Sequence, residues 1–169
     1  MPNQEHIIIV AGGSGKRIKA NIPKQYIEVN SKPLIYYTIN VFFKYNPDIK
    51  MYIVAHKDYL SYLNELLKKY FPDKQIITTI GGDTRFESVK KGLSLIETDA
   101  GGVGIHDAAR PMVSVDTIRR CFEIAAQKGN AIPVVNVNDS IRVIENNSNK
   151  AINRSNYKVV QTPQCFNAA

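Results

Sequence analysis

The feature that most constrains this chain is a short run near its start. Ile7-Ile8-Ile9-Val10-Ala11 is continuous, apolar and mostly β-branched, and it stops at Gly12-Gly13. Such a run, with no polar alternation, fits a strand covered on both faces, and so a sheet held between other layers. Met51-Tyr52-Ile53-Val54-Ala55 repeats the pattern. Between them, Leu34, Ile35, Thr38, Ile39, Phe42 and Phe43 recur at helical spacing from Pro33 to about Tyr45, with the proline suited to a first turn. Asp58 is the expected cap of a helix through Tyr70. Lys74 to Ile80 reads as a strand stopped by Gly81-Gly82, and Thr84 to Ile96 as a helix. Val103 to Asp107 is a further strand, Ser114 caps a helix to about Lys128, and Ala131 to Val135 closes the series as a strand.

Strands alternating with helices predict an α/β fold: a parallel or mostly parallel sheet with helices on both faces. Ligands in such sheets bind beyond the carboxyl ends of the strands. Glycines and charges collect there, after Val10, Ile80 and Ile105. Residues 136–160 break the alternation and predict a projecting β-hairpin arm, suited to packing on a second subunit. No repeat or low-complexity linker divides the chain, so 1–169 is expected to be one domain.

Several function classes are disfavoured. No apolar run approaches the roughly 20 residues of a membrane-spanning helix. Glu5 precedes the first apolar run and no small-residue cleavage site follows it, which argues against a signal peptide. Cys121 and Cys165 lack metal-site or framework spacing and are expected to be reduced thiols in a cytoplasmic protein. The net charge is +7, but Lys16, Arg17, Lys19 and Lys24 crowd into one stretch without an acid. That concentration favours a phosphate pocket over a nucleic-acid track, and no aromatic stacking platform for single strands is evident.

Four segments carry the chemistry. In Ala11-Gly12-Gly13-Ser14-Gly15-Lys16-Arg17, glycines allow close approach of backbone N–H groups to a phosphate, and Lys16 and Arg17 add charge. The alternative is an ordinary glycine-rich turn with surface bases. The spacing matches neither a P-loop nor a dinucleotide fingerprint. In Pro23-Lys24-Gln25, Lys24 is either a solvated charge or a group that neutralises charge building on an α-phosphate. Gly81-Gly82-Asp83-Thr84-Arg85-Phe86-Glu87-Ser88 either reads a nucleobase edge or is simply a turn with a helix cap. In His106-Asp107-Ala108-Ala109-Arg110-Pro111, the small alanines admit a ligand and Asp107 suits sugar hydroxyls or a hydrated Mg²⁺; His106 is given no catalytic role.

Taken in this order with Gln161-Thr162-Pro163-Gln164, these segments resemble the 2-C-methyl-D-erythritol 4-phosphate cytidylyltransferase family. The resemblance implies a three-layer Rossmann-like nucleotidyltransferase fold, a homodimer joined through the arm, dependence on Mg²⁺ held mainly by phosphates, and CMP transfer from CTP to a sugar or polyol phosphate. It assigns Arg17, Lys24 and Arg154 to catalysis, with Arg154 reaching the substrate phosphate across the dimer. It assigns Ala11, Gly12, Gly13, Ser14, Gly15 and Lys16 to the triphosphate. Gly82, Asp83 and Ser88 fall to cytosine and Ala108 to ribose, while Asp107, Arg110, Asp139 and Ser140 lie near the sugar phosphate. Ile18-Lys19 stands where the family commonly has Met-Gly, and Ser140 where threonine is common. The family continues past the Thr-Pro-Gln segment with a late substrate-placing lysine, and the sequence is read as lacking that C-terminal part. The rivals are a ribitol-5-phosphate cytidylyltransferase and a non-catalytic nucleotide-binding module. Arg85 to Val89 and Asn153 to Tyr157 lean toward the methylerythritol enzyme.

Overall fold

The structure is a computed structural model that describes residues 4–13, 22–96, 100–145 and 148–168. Four strands run parallel in its sheet: β1 (Gln4–Ala11), β4 (Lys50–Ala55), β5 (Ile76–Ile80) and β6 (Ala100–Asp107). β2 (Glu28–Val29) and β3 (Lys32–Pro33) form a small separate ribbon. The sheet is completed by β7 (Asn130–Ala131) and β12 (Gln164–Asn167), in the order β5-β4-β1-β6-β12-β7. β12 is antiparallel to both its neighbours, so it is the one reversed strand of the six.

Alternation within the buried strands sorts their side chains to two faces. Ile7, Ile9, Met51 and Ile53 join the core with α1 (Leu34–Tyr45), α2 (Leu60–Tyr70) and α4 (Val115–Lys128), through Ile39, Phe42, Leu63, Ile118 and Phe122. Ile8, Tyr52, Val54 and Val103 form the opposite core, against which α3 (Arg85–Leu93) packs. The three-layer expectation therefore holds. A Cβ on Gly92 would lie 2.7 Å from Ile8 Cγ2, so glycine lets α3 sit close to the sheet. That approach brings the start of α3 to the carboxyl end of β1.

Local chemistry accounts for most of the boundaries. Thr84 and Glu87 make a reciprocal capping box at α3, an arrangement whose loss costs about 1 kcal/mol. Ser114 caps α4 as expected, and Gly129 ends it at φ 91°. Asp58 is not the cap of α2: a 3-10 turn, Lys57–Tyr59, comes first, and His56 Nδ1 accepts from the Asp58 N–H at 3.3 Å. The expected strand over 131–135 is interrupted. β7 ends at Ala131, Ile132-Pro133 leave the sheet, and β8 (Val134–Asn136) pairs instead with β11 (Lys158–Val160). Pro133 has no N–H for a ladder, so the sheet cannot continue through it. Beyond β8, β9 (Arg142–Glu145) and β10 (Ser148–Ala151) form an antiparallel hairpin, so the arm is a two-stranded ribbon carrying a hairpin. None of the described helices is long and apolar enough to cross a membrane.

Candidate active site

β4 and β6 lie on opposite sides of β1, so the strand order reverses direction beside it. A crevice outside the carboxyl ends at such a point is where ligands bind in open α/β sheets. The four chemistry-bearing segments, where described, meet here.

Ala11 is buried and Gly13 exposed, so the chain rises from the core into the crevice mouth within two residues. Ser14, Gly15, Lys16 and Arg17 lie outside the described residues. The start of this loop is held by Gln25, whose Nε2 donates to the Ala11 carbonyl at 2.7 Å and the Gly13 carbonyl at 3.2 Å. Gln25 is 2% exposed and follows Lys24, which is exposed at the first position of the 3-10 turn Lys24–Tyr26. Tyr26 anchors that turn from below, stacked on Tyr59 and edge-on to Tyr62 at centroid distances of 5.4 and 5.3 Å. Burial pushes the Tyr26 phenol up, keeping it neutral.

The third segment leaves β5 through Gly81, whose N–H donates to the Ala55 carbonyl at 2.8 Å. A Cβ on Gly82 would lie 2.3 Å from Glu87 Cβ, so only glycine fits the turn. Ser88 is buried, and its Oγ accepts from the Gly82 N–H at 3.1 Å. A Cβ on Gly12 would stand 3.3 Å from the same oxygen, which places the two glycine segments side by side. Asp83 is exposed beside them. Backbone hydrogen bonding to Thr84 holds the Glu87 carboxyl below its ordinary value.

The fourth segment is tied across to β1. The Ala108 N–H donates to the Val10 carbonyl at 3.0 Å, and its carbonyl accepts from Thr38 Oγ1 at 2.8 Å. Asp107 is held from two sides. Its Oδ1 accepts from Arg85 Nη2 at 3.3 Å and its Oδ2 from Arg110 Nε at 2.9 Å. Arg110 Nη1 in turn donates to Gln161 Oε1 at 2.7 Å. His106 is fully buried beneath this turn, with Nε2 3.0 Å from the Arg110 carbonyl and its ring edge-on to Phe42. Burial pushes its pKa down to about 4, which holds the imidazole neutral near pH 7.

The arm contributes differently. Asp139 and Ser140 are exposed at its entrance, and Arg154 donates through Nη1 to the Asn138 carbonyl. That bond keeps Arg154 with the arm. At the arm's base, Arg110, Met112, Arg120, Ile124, Ile132 and Gln161 border a cavity of about 1060 Å³. No cluster of three or more His, Cys, Asp or Glu suited to a metal occurs among the described residues.

Comparison with known proteins gives this geometry its family. The family described as 2-C-methyl-D-erythritol 4-phosphate cytidylyltransferase matches residues 5–169. The chain belongs to that family. A relative with that name from Bacteroides thetaiotaomicron is 37% identical over 163 residues, covering 96% of this chain and 74% of its own length. The crystal structure of the Francisella tularensis family member matches with a TM-score of 0.74 at 29% identity, over 98% of this chain and 73% of that one. An Anaerococcus prevotii 4-diphosphocytidyl-2C-methyl-D-erythritol synthase shares the fold with a TM-score of 0.83 at 24% identity, covering 98% of this chain and 72% of that one.

Gln25, Arg85 and Gln161 stand inside the sequence motifs, but the sequence alone gives none of them a role in this site. Gln25 is overshadowed in the sequence by the charge of Lys24, and its bonds to the Ala11 and Gly13 carbonyls show only in the fold. Arg85 and Gln161 give no signal either, because their partner Asp107 or Arg110 lies 22 or 51 residues away.

Proposed function

We propose that the chain transfers CMP from CTP to 2-C-methyl-D-erythritol 4-phosphate, giving 4-diphosphocytidyl-2-C-methyl-D-erythritol and pyrophosphate. The observation that carries the reading is the meeting of Gly12, Gly82 and Ser88 on one side of β1 with Asp107, Ala108 and Arg110 on the other. A nucleotide and a phosphorylated polyol need such adjoining subsites. In this reading, the substrate's phosphate oxygen attacks the α-phosphorus in line, forming a new P–O bond. The bond from that phosphorus to the bridging oxygen breaks, and pyrophosphate leaves with the electron pair. No covalent enzyme intermediate is needed, so the protein's work is positioning and charge neutralisation.

Residues 11–16 cradle the triphosphate, while Arg17 and Lys24 neutralise the charge that grows in the transition state. Gly82 and Asp83 face cytosine, with Ser88 setting the Gly82 N–H from beneath. Ala108 lies against the ribose. Asp107, Arg110, Asp139 and Ser140 surround the sugar phosphate. Mg²⁺ fits this site as a cation carried by the triphosphate, because that role demands one or two carboxylates and Asp107 supplies one at the crevice mouth. It would add charge neutralisation across the phosphates.

The chain works in this reading as one cytidylyltransferase domain, 1–169, with its arm on a second copy and Arg154 serving the neighbouring site. The exposed apolar side chains of Val134, Val135, Val159 and Val160 on the ribbon support that pairing. Buried, unbridged Cys121 and Cys165 suit the cytoplasm.

The test is pyrophosphate release with CTP and Mg²⁺, offering methylerythritol 4-phosphate or ribitol 5-phosphate. Release with the first alone is expected. Release only with ribitol 5-phosphate would move the substrate assignment, and silence with both would remove the transfer reading. Lys24→Ala should lower turnover by about 10²-fold or more, the size of a lost electrostatic stabiliser. Unchanged turnover would remove Lys24 from the mechanism.

A further inference from the structure

Gln161 has no part in the mechanism above, yet it sits where the arm rejoins the domain. Its N–H donates to the Pro133 carbonyl at 2.8 Å, directly below the Val134–Val160 pair that ends the outer ribbon. Its side-chain Oε1 accepts from Arg110 Nη1 at 2.7 Å, while the Nε edge of the same guanidinium is taken by Asp107 at 2.9 Å. Arg110 is thus gripped at two points. A guanidinium has five N–H donors in a fixed fork, so two such bonds set its plane and leave the rest for a ligand.

The two grips differ in charge. Asp107 is already shared between Arg85 and Arg110, so one carboxylate faces two cations. The group at 161 is a neutral amide, which orients the fork without cancelling the remaining positive charge. A carboxylate at 161 would hold Arg110 at least as firmly and discharge it.

We propose that Gln161 is a positioning residue for the sugar-phosphate subsite: it aims the Arg110 guanidinium while leaving it cationic, and so joins the placement of the arm to capture of the substrate phosphate. This rests on the cytidylyl-transfer reading. The chemical logic requires both an acceptor oxygen and neutrality at position 161. Gln161→Met keeps the length and loses the acceptor; Gln161→Glu keeps the acceptor and loses neutrality.

The experiment is steady-state kinetics of both variants with CTP and methylerythritol 4-phosphate varied separately, beside thermal unfolding. Each variant should raise KM for methylerythritol 4-phosphate roughly tenfold, the scale of one charge-assisted contact. KM for CTP should stay within about twofold, and Tm should stay close to wild type in Gln161→Glu, since the acceptor is retained. A merely structural glutamine predicts the opposite pattern, with Gln161→Glu silent. The proposal is overturned by a normal sugar-phosphate KM in either variant, or by a CTP KM that rises equally. A wild-type protein that releases no pyrophosphate would overturn the transfer reading itself, and this assignment with it.

Discussion

The glycine segment after β1 and the Asp107–Arg110 turn after β6 rest on strands whose side chains are mostly buried, with β5 half-exposed at the sheet edge, whereas the arm turns Val134, Val135, Ile144, Val159 and Val160 toward solvent. On the sheet side, each element is fastened by a buried group: Gln25 beneath Ala11 and Gly13, Ser88 beneath Gly82, His106 beneath Arg110. On the arm, exposed bonds join one arm residue to another, as between Arg154 and Asn138 or Lys158 and Asn136. The described parts of the glycine segments and the Asp107–Arg110 turn are thus fastened from the domain's own core, while the arm's apolar surface stays exposed.

The strongest test of that contrast is Ile9→Ala. Ile9 is fully buried in the strand that leads to Gly12, and the truncation should cost about 2–5 kcal/mol in urea unfolding. A much smaller loss would break the claim that the site stands on the core.

Next comes acid. The His106 pKa is pushed down to about 4 by burial, below the ordinary value of 6.5. Between these values the unfolded chain binds the proton and the folded chain does not, so stability falls as pH drops from 6.5 toward 4. Relative to His106→Gln, wild type should lose about 3 kcal/mol between pH 7 and pH 4. Parallel stability curves for the two proteins would mean the imidazole is not held neutral.

Gln25→Leu should cost about 1–3 kcal/mol, because the Ala11 and Gly13 carbonyls lose their donor. It should raise KM for CTP while leaving that for the sugar phosphate near wild type. Equal rises in both would blur the division between the two subsites.

The smallest effect belongs to the arm. Ile144 is 76% exposed, and Ile144→Ser should change the stability of the isolated domain by no more than about 0.5 kcal/mol. Sedimentation should show weaker self-association in the same variant. A large stability loss without that change would place Ile144 against its own domain.

The sheet's parallel strands and the four helices were legible because each repeats a simple spacing over many residues. The arm was legible from a change in that spacing. β12 was not expected: Gln164 to Asn167 is too short to show a period, and the preceding Thr162-Pro163 reads as a turn. The strand exists because β6 and β7 present ladders on both sides of it. The break at Ile132-Pro133 was signalled by the proline, yet the apolar run through Val135 outweighed it. In the site, glycines announce themselves by type, whereas Arg85, Gln161 and the buried face of Gln25 acquire meaning only through partners distant in sequence.

β12 also bears on how the protein is made. It lies between β6 and β7, and the described residues give β7 no other strand partner. A ribosome delivers β6, α4, β7 and the whole arm before this strand emerges. Until then the edge of β6 that ends at Asp107 is open, a template on which another nascent chain can pair. The strand that covers this edge of β6 is therefore the one that emerges after the whole arm. The arm, meanwhile, is an enlarged loop between the antiparallel partners β7 and β12. Lengthening such a loop costs little, about 0.6 kcal/mol per doubling. Evolution is thereby free to rework the surface of the arm while the sheet below it stays the same.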